Sequence, residues 1–254
     1  MKLIDSLPEI RGQYREHANL AKTNWFGVGG EAEVLFRPED SADLCHFLAN
    51  KPKSVPVTVI GVGSNLLIRD GGIDGVVIRL GRGFTGMQVQ GNLVHAGAGA
   101  LDYNLAIFCK DHAIAGLEFF SGIPGTVGGA LAMNAGAYGG DTASILISAE
   151  AIDEMGQLHE LSAVDIGFIY RGNTIPDGWI FTKAIFKGEH SNIDSIAHKI
   201  NLIATKREAT QPIRTKTTGS TFANPQGMSA WELIDKAGCR GLTIGDATVS
   251  EKTL

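Results

Sequence analysis

Glycine is concentrated in one part of this chain. The sequence has 254 residues and 33 glycines, about twice the usual share, and 19 of these glycines lie in residues 61–140. They follow no collagen period and have no serine- or glutamine-rich company. Glycines without such a repeat favour tight turns and backbone that closely approaches another group. The change in composition near residues 145–190 predicts a boundary between a glycine-rich domain and a second domain.

Composition excludes several classes of protein. Hydrophobic residues are 44% of the chain, enough for a sizeable core, and a net charge of −5 disfavours nucleic-acid binding. The three cysteines, Cys45, Cys109 and Cys239, have no C-x-x-C spacing, so we expect no disulfide framework, no metal site and a reducing compartment. We find no signal peptide and no apolar run long enough to span a membrane. These features predict a cytoplasmic protein without membrane insertion.

Hydrophobic patterns predict short strands, hairpins and a few helices. Strands are expected at residues 32–38, 55–61, 75–80 and 179–186, and hairpins at 87–99 and 148–163 with turns at Gly91-Asn92 and Met155-Gly156. Helices are expected after a cap at Asp40 or Ser41, and at 101–114 and 193–206. Because these elements form no regular βαβ series, the pattern favours an α+β fold over a doubly wound Rossmann sheet.

The first glycine motif is VIGVGSNLLIRDGG, residues 59–72, in which a β-branched strand ends at Gly61. Gly61 and Gly63 let successive backbone N–H groups turn toward one point and form a nest for an anion such as phosphate. Ser64 and Asn65 can add side-chain donors. The motif is neither a G-x-G-x-x-G fingerprint nor a P-loop. A tight turn between strands explains the same glycines equally well, and both interpretations stay open at this point.

The second glycine motif is SGIPGTVGGALAMNAGAYGGD, residues 121–141. Its glycines leave little side-chain bulk, Pro124 stiffens the backbone, and a short helix is expected to start near Thr126. The N-terminus of a helix favours negative charge through its dipole and its free N–H groups. A glycine-rich contact between helices is the alternative. Taken together, the two motifs predict a dinucleotide whose pyrophosphate is held between two loops.

The chain resembles the UDP-N-acetylenolpyruvoylglucosamine reductase (MurB) family of bacterial peptidoglycan synthesis. The resemblance extends from about residue 18 to residue 252, and its long central motif is highly specific. The segment between Arg171 and Gly219 is short, as in the type II subgroup of the family. The motifs that carry the resemblance are TNWFGVGG (23–30), IGVGSNLLIRDGG (60–72), GLEFFSGIPGTVGGALAMNAGAYGG (116–140), YRGN (170–173), GWIF (178–181), TGSTFANP (218–225) and SAWELIDKAGCRGLTIGDATVSEK (229–252).

The resemblance implies noncovalently bound FAD in a two-subdomain fold of the vanillyl-alcohol-oxidase type, followed by an α+β substrate-binding domain. We expect the FAD-binding domain at residues 1–188, with subdomains at roughly 1–80 and 81–188, and the substrate-binding domain at 189–254. The expected FAD contacts lie in and after the two glycine motifs. They are Gly61, Val62, Gly63, Ser64, Asn65, Ser121, Gly122, Ile123, Pro124, Gly125, Gly128 and Asn134.

The resemblance also implies a reaction. In this family NADPH reduces FAD, and the enolpyruvyl ether of UDP-N-acetylglucosamine then receives a hydride and a proton to give a lactyl ether. Ser220 matches the family's proton donor, and Arg171 matches the arginine that polarises the substrate carboxylate. A turn serine and a surface ion pair are the ordinary alternatives for these two residues. The further substrate or NADPH contacts that we expect are Tyr170, Arg214, Lys216 and Asn224.

The sequence departs from the family in one respect. The family's third catalytic residue, a glutamate near the C-terminus, has no counterpart before the final residues VSEKTL, and Glu251 belongs to the SEK motif instead. We therefore expect an incomplete substrate-binding domain. The leading hypothesis is a monomeric, NADPH-dependent, FAD-containing reductase of an enolpyruvyl UDP-sugar. The alternatives are a truncated flavin-binding protein with little or no turnover, and another oxidase or dehydrogenase of the same fold.

Overall fold

The computed structural model describes residues 2–212, 215–217 and 219–252. The strands are β1 (Gln13–Asn19), β2 (Glu31–Arg37), β3 (Val57–Val59), β4 (Ile73–Ile78), β5 (Met87–Gln90), β6 (Leu93–Gly97), β7 (Ile114–Ala115), β8 (Gly136–Ala137), β9 (Gly140–Asp141), β10 (Leu146–Ile152), β11 (Leu158–Ser162), β12 (Ile180–Lys187), β13 (Glu189–His190), β14 (Thr243–Ile244) and β15 (Ala247–Thr248). The α-helices are α1 (Ser41–Asn50), α2 (Asp102–Asp111), α3 (Val127–Met133), α4 (Thr142–Ile145), α5 (Ala163–Ile166), α6 (Ile193–Thr210) and α7 (Ala230–Lys236). Short 3-10 helices lie at Leu3–Ser6, Leu20–Lys22, Arg82–Phe84 and Glu118–Gly122.

The first sheet has the strand order β1-β2-β4-β3 and mixes both strand directions. β1 runs antiparallel to β2, whereas β2 and β3 both run parallel to β4. The crossover between β2 and β3 contains α1, which begins at its cap Asp40. In β4, Val76 and Ile78 face one core cluster and Val77 faces another. Because the end of β4 is buried on both faces, Val76, Val77 and Ile78 form a continuous apolar run rather than an alternating one.

The second sheet is antiparallel throughout and has the strand order β11-β10-β12-β6-β5. Its main core cluster includes Leu105 of α2, Leu131 of α3 and Phe186 of β12. Ile152 of β10 and Ile180 of β12 instead pack into the core of the first sheet. The two sheets therefore share buried side chains.

Helix α6 packs against the second sheet's cluster and the 3-10 helix at Glu118–Gly122. Ile196 and Ile200 of α6 are buried in the main cluster. Lys199 forms an ion pair with the nearly buried Glu118, with 3.3 Å between Lys199 Nζ and Glu118 Oε1. A helix on the C-terminal side of residue 188 is thus held directly against the glycine-rich part of the chain.

Most of the predicted elements are confirmed, with ends that differ by a few residues. The Asp40 cap, the helix start near Thr126, the hairpin turn at Gly91-Asn92 and the α+β class all agree with the structure. No predicted strand covers β1, and the strand predicted at 55–61 is only Val57–Val59. In the described ranges, no helix combines the length and the hydrophobicity that a membrane span requires.

Candidate active site

The first glycine motif forms a loop whose backbone amides are available. After β3, the N–H of Ile60 donates to the carbonyl of Ile78, with 2.9 Å between N and O. The N–H groups of residues 61–65 then have no hydrogen-bond acceptor among the residues that the structure describes. Backbone donors in a folded protein are nearly always paired with protein, water or a ligand. Five consecutive available donors fit the nest expected for a phosphate, and a purely structural turn explains them less well.

The same loop is held from behind by residues 23–30. Gly63 is buried in a left-handed conformation with φ +68°, and a Cβ on it would lie 2.6 Å from the Cα of Asn24. The Asn24 side chain donates to the carbonyls of Leu20 and Val28, both at 2.8 Å. The motif TNWFGVGG is therefore the wall on which the first glycine loop rests. Position 63 must be glycine because the loop packs directly against the backbone of Asn24.

The second glycine motif does not offer the free helix N-terminus that the sequence predicts. The N–H of Val127 donates to Ala100 O at 3.0 Å, that of Gly128 donates to Ala98 O at 2.8 Å, and that of Gly129 donates to the Thr126 hydroxyl at 3.4 Å. The first N–H groups of α3 already have hydrogen-bond acceptors, because residues 98–102 run alongside the start of the helix. In the described part of the chain, the amides of Gly125 and Thr126, just before the helix, lack an acceptor. Those two donors are the ones that the loop can present to an anion.

Asp102 lies beneath the second loop and is fully buried. Neither carboxyl oxygen has a hydrogen-bond partner in the described residues, and a Cβ on Gly125 would stand 2.5 Å from Asp102 Oδ2. Burial raises the pKa of this carboxyl well above 3.8 because the charged form is desolvated. Burial without a partner therefore favours the protonated, neutral form of Asp102. Gly125 is small because this side chain fills the space beside it.

A tight turn at residues 169–172 brings the predicted substrate residues together. Arg171 has a left-handed φ of +59°, and its guanidinium donates to Ser220 O at 3.0 Å and to Thr221 O at 3.4 Å. The Tyr170 hydroxyl accepts from the N–H of Asn224 at 3.2 Å. Four residues selected from two separate motifs, YRGN and TGSTFANP, thus meet at one place although about fifty positions separate the motifs.

These residues open onto a cleft of about 1250 Å³. Arg171, Lys216, Ser220 and Asn224 line it, and Phe26 and Val28 of the wall segment face them. Lys216 reaches that wall, since a Cβ on Gly27 would lie 3.1 Å from Lys216 Nζ. The other predicted cation, Arg214, lies outside the described residues. The sequence did not single out Phe26 and Val28, whose only signal was their place in the TNWFGVGG motif.

Three of the predicted FAD contacts, Ser121, Gly128 and Asn134, are in contact with other parts of the protein. Ser121 donates to Glu118 O at 2.7 Å. Gly128 faces Ala98, whose Cβ would be 3.1 Å from a Cβ on Gly128. Asn134 uses both ends of its side-chain amide, accepting from Ala143 N at 3.1 Å and donating to Ile169 O at 3.3 Å. Contact of these residues with FAD stays a prediction.

Comparison with known proteins first defines the class. Residues 32–162 match the family model of an FAD binding domain. The fold is also shared with a variant of Physcomitrella patens BBE-like 1 (TM-score 0.52, 16% identity, 75% of this chain and 45% of that one) and with cholesterol oxidase from B. sterolicum (TM-score 0.52, 15% identity, 72% and 39%). At such identities the likeness concerns the fold alone. The protein is an FAD-binding protein with the predicted two-subdomain fold of the vanillyl-alcohol-oxidase type.

Closer relatives define the family. The chain is 54% identical over 249 residues to UDP-N-acetylenolpyruvoylglucosamine reductase of Parvibaculum lavamentivorans, covering 98% of this chain and 80% of the relative, and 50% identical to that of Rickettsia typhi, covering 96% and 83%. Residues 211–253 match the model of that enzyme's C-terminal domain. The crystal structure of the Thermus caldophilus reductase superposes with a TM-score of 0.83 at 34% identity, covering 96% of this chain and 86% of that one. The chain belongs to the UDP-N-acetylenolpyruvoylglucosamine reductase family of flavin-dependent oxidoreductases.

The residues present fit FAD. The first loop offers the available amides of residues 61–65, and the second offers those of Gly125 and Thr126. Both loops are packed so closely that side chains on Gly61, Gly63 or Gly125 would meet protein atoms. A pyrophosphate held by backbone donors requires this kind of rigid, small-residue cradle. The predicted family, fold and cofactor are confirmed.

Proposed function

We propose that this chain catalyses the NADPH-dependent reduction of the enolpyruvyl ether of UDP-N-acetylglucosamine to UDP-N-acetylmuramate. The reaction belongs to peptidoglycan precursor synthesis, and we place it in the cytoplasm with the protein as a monomer. One observation carries the proposal: the Arg171 guanidinium donates to Ser220 O, and both residues line one cleft. Phe26 and Val28, from the segment that supports the first glycine loop, line the same cleft. FAD, when bound, supplies a two-electron carrier between NADPH and the carbon–carbon double bond.

Arg171 is suited to hold the substrate carboxylate. Its planar guanidinium has five N–H donors, and the contacts to Ser220 O and Thr221 O use two of its nitrogens. The remaining donors lie at the cleft, where a carboxylate can accept them as a charge-assisted pair. Negative charge builds up at the carboxylate end when the terminal carbon of the enolpyruvyl group is reduced. A fixed cation at that end stabilises this charge in the transition state.

Ser220 is suited to deliver the proton to the adjacent carbon. Its side chain is exposed and lines the cleft, while its carbonyl is fixed by Arg171. A serine hydroxyl is a weak acid, so it serves as a donor only to a strongly basic carbon that is held close to it. The arginine would therefore act on the carboxylate, and the serine on the carbon that carries it.

Other polar residues in and beside the cleft suit the UDP part of the substrate. Lys216 projects toward Gly27 at the opposite wall, where its ammonium can contact a diphosphate. Tyr170 and Asn224 are linked to each other, and Asn224 Oδ1 accepts from Ala230 N at 2.9 Å at the start of α7. We propose that these contacts bind and orient the substrate, and that they also hold the loop that carries Ser220.

The experiment follows the flavin through both halves of the reaction under anaerobic conditions. The purified chain should contain FAD, NADPH should bleach its absorbance near 450 nm, and the enolpyruvyl UDP-sugar should restore it. The UDP-N-acetylglucosamine that lacks the enolpyruvyl group is the control and should not restore it. Bleaching without substrate-dependent recovery would reduce the proposal to a flavin-binding protein, and absence of FAD would refute it.

A further inference from the structure

Two asparagine side chains join the end of α3 to the turn that carries Arg171. Asn134 Nδ2 donates to the carbonyl of Ile169 with 3.3 Å between N and O. Asn173 Nδ2 donates in the opposite direction, to the carbonyl of Ala132, at 3.0 Å. The two bonds connect residues 132–134 with residues 169–173, one in each direction. We call this pair of bonds the asparagine clasp.

The orientation of both amides is determined by a second bond. Asn134 Oδ1 accepts from the N–H of Ala143 at 3.1 Å, and Asn173 Oδ1 accepts from the N–H of Ile175 at 3.2 Å. Because a backbone N–H can only donate, the oxygen of each side chain must face it and the NH₂ group must face the carbonyl. An asparagine is therefore needed at both positions, since no other side chain of this length offers one acceptor and one donor in that arrangement.

The clasp stabilises a backbone that is strained by itself. Arg171 has φ +59°, in the left-handed region that non-glycine residues rarely adopt. Asn134, the C-cap of α3, has φ +42° in the same region, which asparagine tolerates better than most residues. The turn around Arg171 is closed by a bond from Ile169 N to Gly172 O at 3.0 Å and a reverse bond at 3.3 Å. Such conformations persist only where the surrounding contacts determine them. The clasp and the turn together set the direction from which Arg171 reaches the cleft.

We propose that Asn134 and Asn173 are positioning residues for Arg171. They act by holding the 169–172 turn against the end of α3, the helix that follows the second glycine loop, and so they fix the guanidinium relative to the FAD-binding part of the chain. The inference rests on the proposed function, because the role of Arg171 as the carboxylate contact belongs to that proposal. It assigns both recorded bonds of the Asn134 side chain to the protein framework of the substrate site.

The first test uses Asn134→Asp and Asn173→Asp in the oxidised, FAD-loaded full chain. Each substitution keeps the acceptor and removes only the donor. The dissociation constant for the enolpyruvyl UDP-sugar, measured from the change it causes in the flavin absorbance, should rise about 10-fold, because the carboxylate contact is misplaced. The FAD content of Asn173→Asp should stay within about 2-fold of the original, since Asn173 belongs to neither glycine motif. Asn134→Gly keeps the left-handed backbone and adds no charge. A similar loss of substrate affinity in this variant would show that the negative charge of the aspartate is not its cause.

The matched control is Asn50→Asp. Asn50 Nδ2 donates to His46 O at 2.8 Å at the end of α1, so the same kind of bond is lost at a helix end far from the cleft. Substrate affinity should not change in this variant. Thermal unfolding of all variants shows whether any loss of affinity reflects loss of folded protein.

The decisive comparison is a double-mutant cycle with Arg171→Met. If the clasp acts through Arg171, Asn134→Asp should weaken substrate binding by less than about 2-fold once the guanidinium is absent. A 10-fold loss of substrate affinity on Asn134→Asp, both with Arg171 present and with Arg171→Met, would overturn the inference. Unchanged substrate affinity of Asn134→Asp, when Arg171→Met alone binds the substrate weakly, would also overturn it. Unchanged affinity of Arg171→Met itself would instead refute the role of Arg171 in the proposed function.

Discussion

Gly61 and Thr126 bring the two glycine loops into contact: a Cβ on Gly61 would lie 2.7 Å from the hydroxyl oxygen of Thr126. That hydroxyl also caps α3 by accepting from the N–H of Gly129. The two residues belong to the two separate glycine motifs, about sixty residues apart in the sequence. Their contact makes one cradle of two loops, and the missing side chain of Gly61 is what allows the loops to approach.

Substitution Gly61→Ala should therefore act through Thr126. The added methyl group displaces the hydroxyl and separates the loops, and we expect a loss of about 1–3 kcal/mol of unfolding free energy, together with weaker FAD binding. Thr126→Ala alone should lose about 1 kcal/mol as the helix cap is removed. In the double variant the methyl group has room, so the two losses should not add. Chemical unfolding and FAD titration of the four proteins measure this coupling, and strict additivity would contradict the contact.

Gly63 and Gly71 form a matched pair within the first glycine motif. Gly63 has a left-handed backbone and faces Asn24. A Cβ on Gly71, in contrast, would have no atom of the described residues within 4 Å. Gly63→Ala should lower the melting temperature and release FAD, and Gly71→Ala should change neither. The obstacle to a side chain on Gly63 is the protein's own backbone, at Thr23 and Asn24. Equal FAD content in both variants would contradict this account.

Asp102 makes the stability of the fold depend on pH. In the unfolded chain its carboxyl loses its proton near pH 3.8, whereas burial raises the pKa in the folded protein well above that value. The folded state therefore binds more protons above pH 3.8, so the contribution is fully present below that pH and is lost as pH rises toward the folded pKa, by about 1.4 kcal/mol per pH unit. Asp102→Asn removes this dependence. Measured between pH 5 and pH 8, its melting temperature relative to the original should increase with pH until the folded pKa is reached.

The control for this pH dependence is Asp111→Asn. Asp111 is an exposed carboxylate at the end of the same helix, so its substitution should leave the difference from the original protein constant over this pH range. If Asp102→Asn shows the same constant difference, Asp102 is ionised in the folded protein and has a partner that the structure does not contain.

Ser220→Ala should separate the two halves of the reaction. NADPH should bleach the flavin at the original rate, because that step involves no proton from the serine. Recovery of the absorbance on addition of the enolpyruvyl UDP-sugar should slow by roughly 10²–10⁴, the usual effect of losing a general acid. Stopped-flow absorbance measures both rates in one preparation. An unchanged recovery rate would remove Ser220 from the mechanism.

The sequence predicted those features that depend on local signals. The Asp40 cap, the Gly91 hairpin turn and the start of α3 at Thr126 each follow from residue types within a few positions, and each is present. The occupied N-terminus of α3 was not predictable in this way. Its amides are satisfied by the carbonyls of Ala98 and Ala100, and nothing in residues 121–141 indicates that another segment lies alongside.

In the candidate site, too, the motifs identified individual residues but not the contacts between distant parts of the chain. The YRGN and TGSTFANP motifs identified Arg171 and Ser220 through resemblance, but spacing alone could not indicate that the guanidinium contacts the Ser220 carbonyl. Asn173 had a signal only as the last residue of YRGN, and its bond to Ala132 depends on the long-range packing of α3 against the turn. Asp102 had no sequence signal, because it reads as an ordinary first-turn acid of a helix.

The domain boundary at 188/189 stays a prediction. Ile196 and Ile200 of α6 pack into the main cluster of the second sheet, and the C-terminal family model begins at residue 211. Both observations favour a boundary after α6. Limited proteolysis of the FAD-loaded chain distinguishes the two, since cleavage between 188 and 193 contradicts the later boundary.

The most direct test of the proposed function is a single turnover without free NADPH. The FAD-loaded chain is reduced with one equivalent of NADPH under anaerobic conditions, separated from nucleotide, and mixed with the enolpyruvyl UDP-sugar. The account predicts one equivalent of the lactyl ether product for each FAD that is reoxidised, with both quantities much reduced in Arg171→Met. Complete reoxidation without the lactyl ether, or equal product from the Arg171→Met variant, would contradict it.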